Sequence, residues 1–358
     1  MNILIVNPFG IGDCLFATPL IHTLKEKFPR HKLGFLCNKR TAGLLKNNPF
    51  LDRMFVYERD DFKCLLSVSW QKWLREFNSF IREIKKEKFD LAIDLSLAAN
   101  FGFFLWIAGI KKRIGYNYKN RGYYLTASIK LAGYEDKHIV EYYNGLLELL
   151  EIKPKYNHLE LYLNEKDKRY AEDVFAYQNI GHQNLVIVIA AGGGASWGID
   201  ANLKRWPEEN FILLVDKLVE KYKATVIIVG DLNEKDLLIN LKADKKIINL
   251  TGQTTLGQLA AVINKSDLFI GNDGGPLHIA VALGKKTVSF FGPVDPKVYG
   301  PYPAEESRHI VFKKTLKCSP CYRRFRLNPC QRNRECLERI NVDEVIDGVG
   351  RLLTNTEK

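Results

Sequence analysis

The chain has 358 residues, too long for one typical core and comfortable as two domains of about 150 to 180 residues each. Hydrophobic residues at 46% and charged residues at 26% are ordinary for a globular protein, which excludes the disordered and low-complexity classes. A formal charge of +12 calls for an anionic partner or surface.

The opening M-N-I-L-I-V-N has no basic stretch before its apolar run and no small-residue cleavage site, so it reads as the first strand of a cytoplasmic protein rather than an export signal. Apolar runs then alternate with amphipathic stretches, the pattern of parallel strands joined by crossover helices. A first set of strands is predicted at 3–7, 33–37, 54–57, 91–94 and 112–116, with helices at 15–28, 70–86 and 139–150. The longest apolar run, 101–110, falls short of the ~20 residues that span a bilayer, so it is a buried helix or an interfacial face. After Ile152 the chain turns polar (K-P-K-Y-N-H), marking an interdomain segment, and a helix is predicted at 166–178. A second set of strands follows at 185–190, 225–229, 247–250, 268–270 and 287–291, with helices at 207–221, 234–241, 256–263 and 277–283.

This order predicts an α/β fold of two Rossmann-like, doubly wound lobes facing a cleft, one over 1–165 and one over 180–340. A last helix in 341–358 is expected to pack back on the first lobe. Ligands of such sheets bind beyond the carboxyl ends of the strands.

The turn after strand 3–7 reads N-P-F-G-I-G-D-C-L-F-A-T-P. As a dinucleotide fingerprint it fails, because the third glycine position is Leu15 and the region twenty residues on is Arg30, His31 and Lys32 instead of an acidic ribose ligand. Asp13 at this strand-to-helix turn has two readings, a helix cap and a general base with access to a cleft. The second lobe opens with a strand followed by A-G-G-G-A-S-W-G, where Gly192 to Gly194 expose backbone N–H groups to close approach. Lys204 and Arg205 precede the helix that Trp206-Pro207 opens; Lys204 reads as a point charge for a diphosphate or as a surface lysine. Glu234 lies in the first turn of a predicted helix, a favourable dipole position and equally a carboxylate for ribose hydroxyls.

Late in the chain, N-D-G-G-P-L-H-I-A-V-A-L-G places Asp273, Gly274, Gly275 and His278 where a buried strand meets a helix. A helix start there favours negative charge through its free N–H groups and its dipole, so the turn is an anion site with His278 in reach. Phe290-Phe291-Gly292-Pro293 would wall the pocket.

Residues 313–339 hold nine Lys/Arg against Glu335 and Glu338, or +7 of the +12. Such density suits an anionic lipid surface or a phosphorylated substrate. No helix-turn-helix, zinc-finger or RNA-binding aromatic signature accompanies it, so nucleic acid is not expected as a partner. The same stretch carries Cys318, Cys321, Cys330 and Cys336, four thiols that could hold a structural zinc or iron, form a disulfide or stay reduced.

Four ordered motifs, G-D-C-L-F-A-T-P, K-R-W-P, N-D-G-G-P-L-H-I-A-V-A-L-G and F-F-G-P-V-D-P, together resemble glycosyltransferase family 9, the lipopolysaccharide heptosyltransferases, over nearly the whole chain. The resemblance implies the GT-B architecture, an acceptor-binding first lobe, a nucleotide-sugar held by the second, and inversion without a metal or other catalytic cofactor; the sequence contains no Asp-x-Asp metal signature. Carried over, Asp13 matches the proposed base, Lys204 the donor-phosphate lysine, Glu234 the ribose acid, and Asp273, Gly274, Gly275 and His278 the donor-binding turn. Arg121 and His138 fall in segments comparable to the acceptor side. One departure is Gly274, where many members carry Ser or Thr. The implied function is transfer of heptose from ADP-heptose to an anionic glycolipid, the lipopolysaccharide core, by an enzyme peripheral at the inner face of the cytoplasmic membrane. Alternatives are another nucleotide-sugar with a glycan or protein acceptor, or a non-catalytic basic binding protein.

Overall fold

The computed structural model describes residues 1–242 and 244–354. The chain divides into two compact units, Met1–Tyr134 with Ile139–Tyr162, and Glu135–His138 with the chain from Leu163 onward.

The first unit is one parallel sheet of β1 (Ile3–Val6), β2 (Leu33–Cys37), β3 (Arg53–Val56), β4 (Leu91–Asp94), β5 (Lys112–Tyr118) and β6 (Ala127–Leu131), in the order β3-β2-β1-β4-β5-β6. β1, β2 and β4 are buried along their whole length, as parallel strands covered on both faces must be, and so they read as unbroken apolar runs. The helix Trp70–Lys86 starts where the Ser69 side chain accepts from the Lys72 N–H and ends on Lys85 and Lys86. Its buried stripe of Phe77, Phe80, Ile81 and Ile84 has helical spacing and meets Phe101, Phe104 and Leu105 of the helix Ala99–Ile107 in one aromatic core. The apolar run at 101–110 is thus mostly a buried helix. Among the described residues no helix is long and apolar enough to cross a membrane.

The second unit repeats the plan with β7 (Val186–Ala190), β8 (Thr225–Ile228), β9 (Ile247–Asn249), β10 (Leu268–Asn272), β11 (Lys286–Phe290) and β12 (His309–Phe312), ordered β12-β11-β10-β7-β8-β9 and all parallel. Trp206 anchors its core, stacked on Phe290 at 4.3 Å between ring centroids with Phe211 edge-on to both, and its Nε1 donates to the Ile340 carbonyl at 3.1 Å.

Several expectations are revised. The last helix, Val342–Thr354, buries Val345, Ile346, Val349 and Leu352 in the second unit's core; its apolar stripe is satisfied there instead of on the first lobe. Lys286 Nζ donates to the Leu352 carbonyl at 2.7 Å and fixes the helix end. The helix Glu165–Tyr177 packs on Leu256–Lys265, so the boundary falls at Tyr162 and the helix belongs to the second unit. The single helix expected at 15–28 is two, Ile11–Phe16 and Thr18–Lys27, because Pro19 has no N–H to continue the first. The helix expected at 234–241 reduces to a 3₁₀ turn, Leu232–Glu234. β6 and β12 are not expected from the sequence; in β6 the polar Ser128 and Lys130 interrupt the apolar residues.

In both sheets the strand order reverses beside the first strand, between β1 and β4 and again between β7 and β10. Loops leaving two such strands part in opposite directions and open a crevice at the carboxyl edge. Asp13 follows β1 at the first of these places, and Lys204 and the Asp273–His278 turn follow β7 and β10 at the second.

Candidate functional site

At the first switch point Asn7 ends β1, fully buried, and its Nδ2 donates to the Asp13 carbonyl at 2.9 Å. This folds the G-I-G-D turn back over the strand end. The Gly10 N–H donates to Asp13 Oδ2 at 3.2 Å, so the carboxylate does cap the helix Ile11–Phe16 while remaining partly exposed. Tyr134 and Tyr143 are held well above the usual phenol range, first by burial and further by the Asp13 charge nearby. Across the switch point, Asp94 accepts from the Ser96 N–H at 2.9 Å, and burial pushes its carboxyl up to about 6. Nothing in the sequence distinguishes Asp94 from an ordinary strand end. Arg121 follows β5 at the same carboxyl edge, exposed, with its guanidinium 5.8 Å from the Tyr118 ring centroid.

His138 is placed differently from the sequence expectation. It groups with the second unit, 5% exposed, stacked on Tyr302 at 4.5 Å with its Nε2 on the Gly300 carbonyl at 3.1 Å, and burial pushes its pKa down to about 3. The ring is therefore neutral at pH 7, and it lies close enough to feel the charge of His278.

At the second switch point the turns leaving β7 and β10 meet. Asn272 stitches them together: its Nδ2 donates to the carbonyls of Ala191 (2.7 Å) and Gly192 (3.1 Å), and its Oδ1 accepts from the Trp206 N–H (2.9 Å). A Cβ at Gly192 would fall on the Glu234 carboxylate, and one at Gly193 on the Ala201 carbonyl oxygen. The glycine run is therefore dictated by close approach. Gly274 differs: its backbone is extended, and a Cβ there would find nothing nearer than 3.8 Å.

The charges beside these turns are buried. Lys204 Nζ lies 2.6 Å from Asp273 Oδ2, with side chains only 8% and 7% exposed, and 4.6 Å from the Trp197 ring centroid. Desolvating two such ions costs several kcal/mol per ion, so the pair is poor value as a stabilising device and points to a prearranged site. His278 Nε2 stands 3.9 Å from Asp273 Oδ1, too far for a hydrogen bond. Burial and the Lys204 charge push the His278 pKa down to about 3, so the ring is neutral at pH 7, a form with one N–H donor and one ring nitrogen acceptor. Gly275 opens the helix Gly275–Ala282 with its free N–H groups beside these side chains.

Glu234 forms the other wall. Burial raises its pKa, while the Asp231 N–H (3.1 Å to Oε2), the Arg205 charge (Nη2 at 3.7 Å from Oε1) and the Gly194 N–H favour its ionised form. Lys204, Glu234, Asp273, Gly274, Gly275 and His278 are thus gathered around one crevice edge. Arg205, Asn272 and Trp197 join them without having been singled out as site residues; Arg205 had a signal in its place beside Lys204, and Asn272 had only its adjacency to Asp273.

The four cysteines are free thiols, with Cys318 and Cys330 exposed, Cys321 half-buried and Cys336 buried. Burial pushes Cys336 up to about 11, helped by the charges of the other three. Among the described residues no group of three or more His, Cys, Asp or Glu side chains is arranged to hold a metal ion, so a zinc or iron at this cluster finds no support in the geometry.

Residues 77–331 match the model of glycosyltransferase family 9 (heptosyltransferase). The lipopolysaccharide heptosyltransferase 3 of Escherichia coli is 26% identical over 302 residues, 81% of this chain and 82% of its own length. A family 9 glycosyl transferase from Veillonella parvula superposes with a TM-score of 0.84 at 21% identity, covering 99% of this chain and 98% of its own. The E. coli ADP-heptose lps heptosyltransferase II superposes with a TM-score of 0.77 at 20% identity, covering all of both chains. With a family match across most of its length and two doubly wound units of the GT-B class, the chain belongs to glycosyltransferase family 9, the heptosyltransferases.

Proposed function

We propose that this glycosyltransferase moves heptose from ADP-heptose to a lipopolysaccharide-core acceptor with inversion at the anomeric carbon. The observation that carries the reading is the buried Lys204–Asp273 pair with neutral His278 at the glycine-lined turns of the second switch point, an arrangement suited to a diphosphate. The E. coli relative named for ADP-heptose supports the choice of donor.

Direct displacement needs a base on the incoming hydroxyl and neutralisation of the departing diphosphate. Asp13 takes the acceptor proton. Lys204, held in place by Asp273 until a phosphate competes for it, meets the leaving group together with the N–H groups at Gly275. His278 adds a hydrogen bond without adding charge, and Glu234, oriented by Arg205 and the Asp231 N–H, accepts from the ribose hydroxyls. Arg121 contributes on the acceptor side.

The enzyme also works at the inner face of the cytoplasmic membrane in this reading. Support comes from the helices Arg59–Val68 and Trp70–Lys86 of the first unit, which leave Leu66, Val68, Trp70 and Leu74 exposed near Lys63 and Lys72. An exposed tryptophan and aliphatic groups beside lysines suit the interface of an anionic bilayer.

Four variants check these assignments. Asp13→Asn should lower turnover in an ADP-heptose transfer assay by about 10² to 10⁴-fold while ADP affinity, read by calorimetry, stays put; full turnover would remove Asp13 from the role of base. Gly192→Ala, which must displace Glu234, should weaken ADP binding by about tenfold or more, whereas Gly274→Ser should fold with a stability change of only a few tenths of a kcal/mol, as a new helix cap with room for its side chain. Co-sedimentation with phosphatidylglycerol vesicles should fall about tenfold for the Trp70→Gln/Leu74→Gln double variant, given the interfacial affinity of these side chains; an unchanged bound fraction would place membrane contact elsewhere.

A further inference from the structure

Most of the basic stretch at 313–339 is neutralised within the fold. Lys313 pairs with Asp295, Lys314 with Glu344, Arg324 with Glu135, Arg332 and Arg339 with Glu335, and Arg334 with Glu338. Of the nine cations, Lys317, Arg323 and Arg326 have no acidic partner among the described residues. Two of those three stand on one small ribbon.

That ribbon is the antiparallel pair β13 (Tyr322–Arg323) and β14 (Arg326–Leu327), in which Arg323 is directly opposite Arg326. Opposed residues of an antiparallel pair project on the same face, and like charges in that position destabilise the ribbon. The two residues between them, Arg324 and Phe325, both take left-handed backbone angles (φ 50° and 62°), a turn that sequences ordinarily give to Asn-Gly. A short ribbon carrying both a like-charge pair and a non-glycine turn of this kind is not arranged for its own stability.

Its anchors show where it points its charge. The Tyr322 N–H donates to the Pro293 carbonyl at 2.9 Å, at the end of the turn that leaves β11, and the Arg323 Nε donates to the Pro320 carbonyl at 3.1 Å, which fixes one guanidinium. The Tyr322 ring lies 5.2 Å from Trp197, the residue whose ring covers Lys204. The ribbon therefore borders the carboxyl edge of the second sheet beside the diphosphate turns, one aromatic contact away from them.

We propose that Arg323 and Arg326 form a binding fork for a phosphate group on the acceptor saccharide. Two guanidiniums match the ~−2 charge of a phosphomonoester and its three acceptor oxygens, whereas a carboxylate would leave one of them uncompensated. The assignment rests on the reading that the acceptor is a lipopolysaccharide-core saccharide, and it adds a recognition element separate from the donor site.

The test compares wild type with Arg323→Gln/Arg326→Gln on heptose-free lipopolysaccharide, intact and after phosphatase treatment. The double variant should raise the acceptor KM on intact material by about tenfold or more, with kcat and the ADP-heptose KM changed less than about twofold. On dephosphorylated acceptor, wild type should show the same raised KM and the variant no further change, as a shared interaction requires. Arg323→Lys/Arg326→Lys, which keeps the charge and loses the planar fork, should fall between the two. The melting temperature of the glutamine variant should equal or exceed that of wild type, since a repulsive pair has been removed. Equal KM for both acceptors in wild type, an equal KM rise on both in the variant, or a loss of phosphatidylglycerol vesicle binding with no KM change would each overturn the proposal, the last by assigning the charges to lipid headgroups. Equilibrium binding of the two acceptors without donor makes the same comparison, so a failure of heptose transfer itself would overturn the functional reading while leaving this one decided on its own evidence.

Discussion

The structure turns on one buried ion pair, Lys204 with Asp273, seated where the second sheet reverses its strand order. Burying an ammonium and a carboxylate together is expensive, and an apolar pair of similar volume would serve the fold as well. What the ions supply is an ammonium whose position is fixed before any ligand arrives, in surroundings dry enough to hold His278 neutral. Electrostatic catalysis depends on such preorganisation, because groups already aimed at developing charge need not rearrange during reaction.

The rest of the second unit can be understood as support for that pair. Asn272, one residue before Asp273, binds the turn after β7 to the turn after β10 and receives the Trp206 N–H, so the K-R-W-P segment, the glycine run and the N-D-G-G-P turn are held as one piece. Trp206 is at the same time the centre of the hydrophobic core, stacked on Phe290. Core packing and site geometry are thereby coupled through one residue. Glu234 uses the space that Gly192 leaves open, which ties the glycine run to the carboxylate wall.

Much of this was legible in the sequence, and the reason is periodicity. Central parallel strands are unbroken apolar runs, and the loops at their carboxyl ends carry Gly, Pro and charged residues in a tight order, so Asp13, Lys204 and the Asp273–His278 turn stood out. β6 did not, because Ser128 and Lys130 interrupt its apolar residues, and neither did β12, although three of its four residues are apolar. His138 could not be placed from sequence, because its neighbours in the chain belong to the first unit while its partners, Gly300 and Tyr302, are about 160 residues away. The last helix misled for a related reason: an amphipathic pattern shows that a face is buried but not against what. The basic stretch at 313–339 was visible as charge, yet its pairing with Asp295, Glu344, Glu135, Glu335 and Glu338 is a tertiary property that separates structural cations from those left for a ligand.

The most direct test of the central claim is a crystal structure of the protein with ADP bound. Diphosphate oxygens are expected within about 3.2 Å of Lys204 Nζ and of the backbone N–H at Gly275, with the ribose hydroxyls on Glu234. ADP seated away from the turns after β7 and β10, with the Lys204–Asp273 contact of 2.6 Å undisturbed, would contradict it.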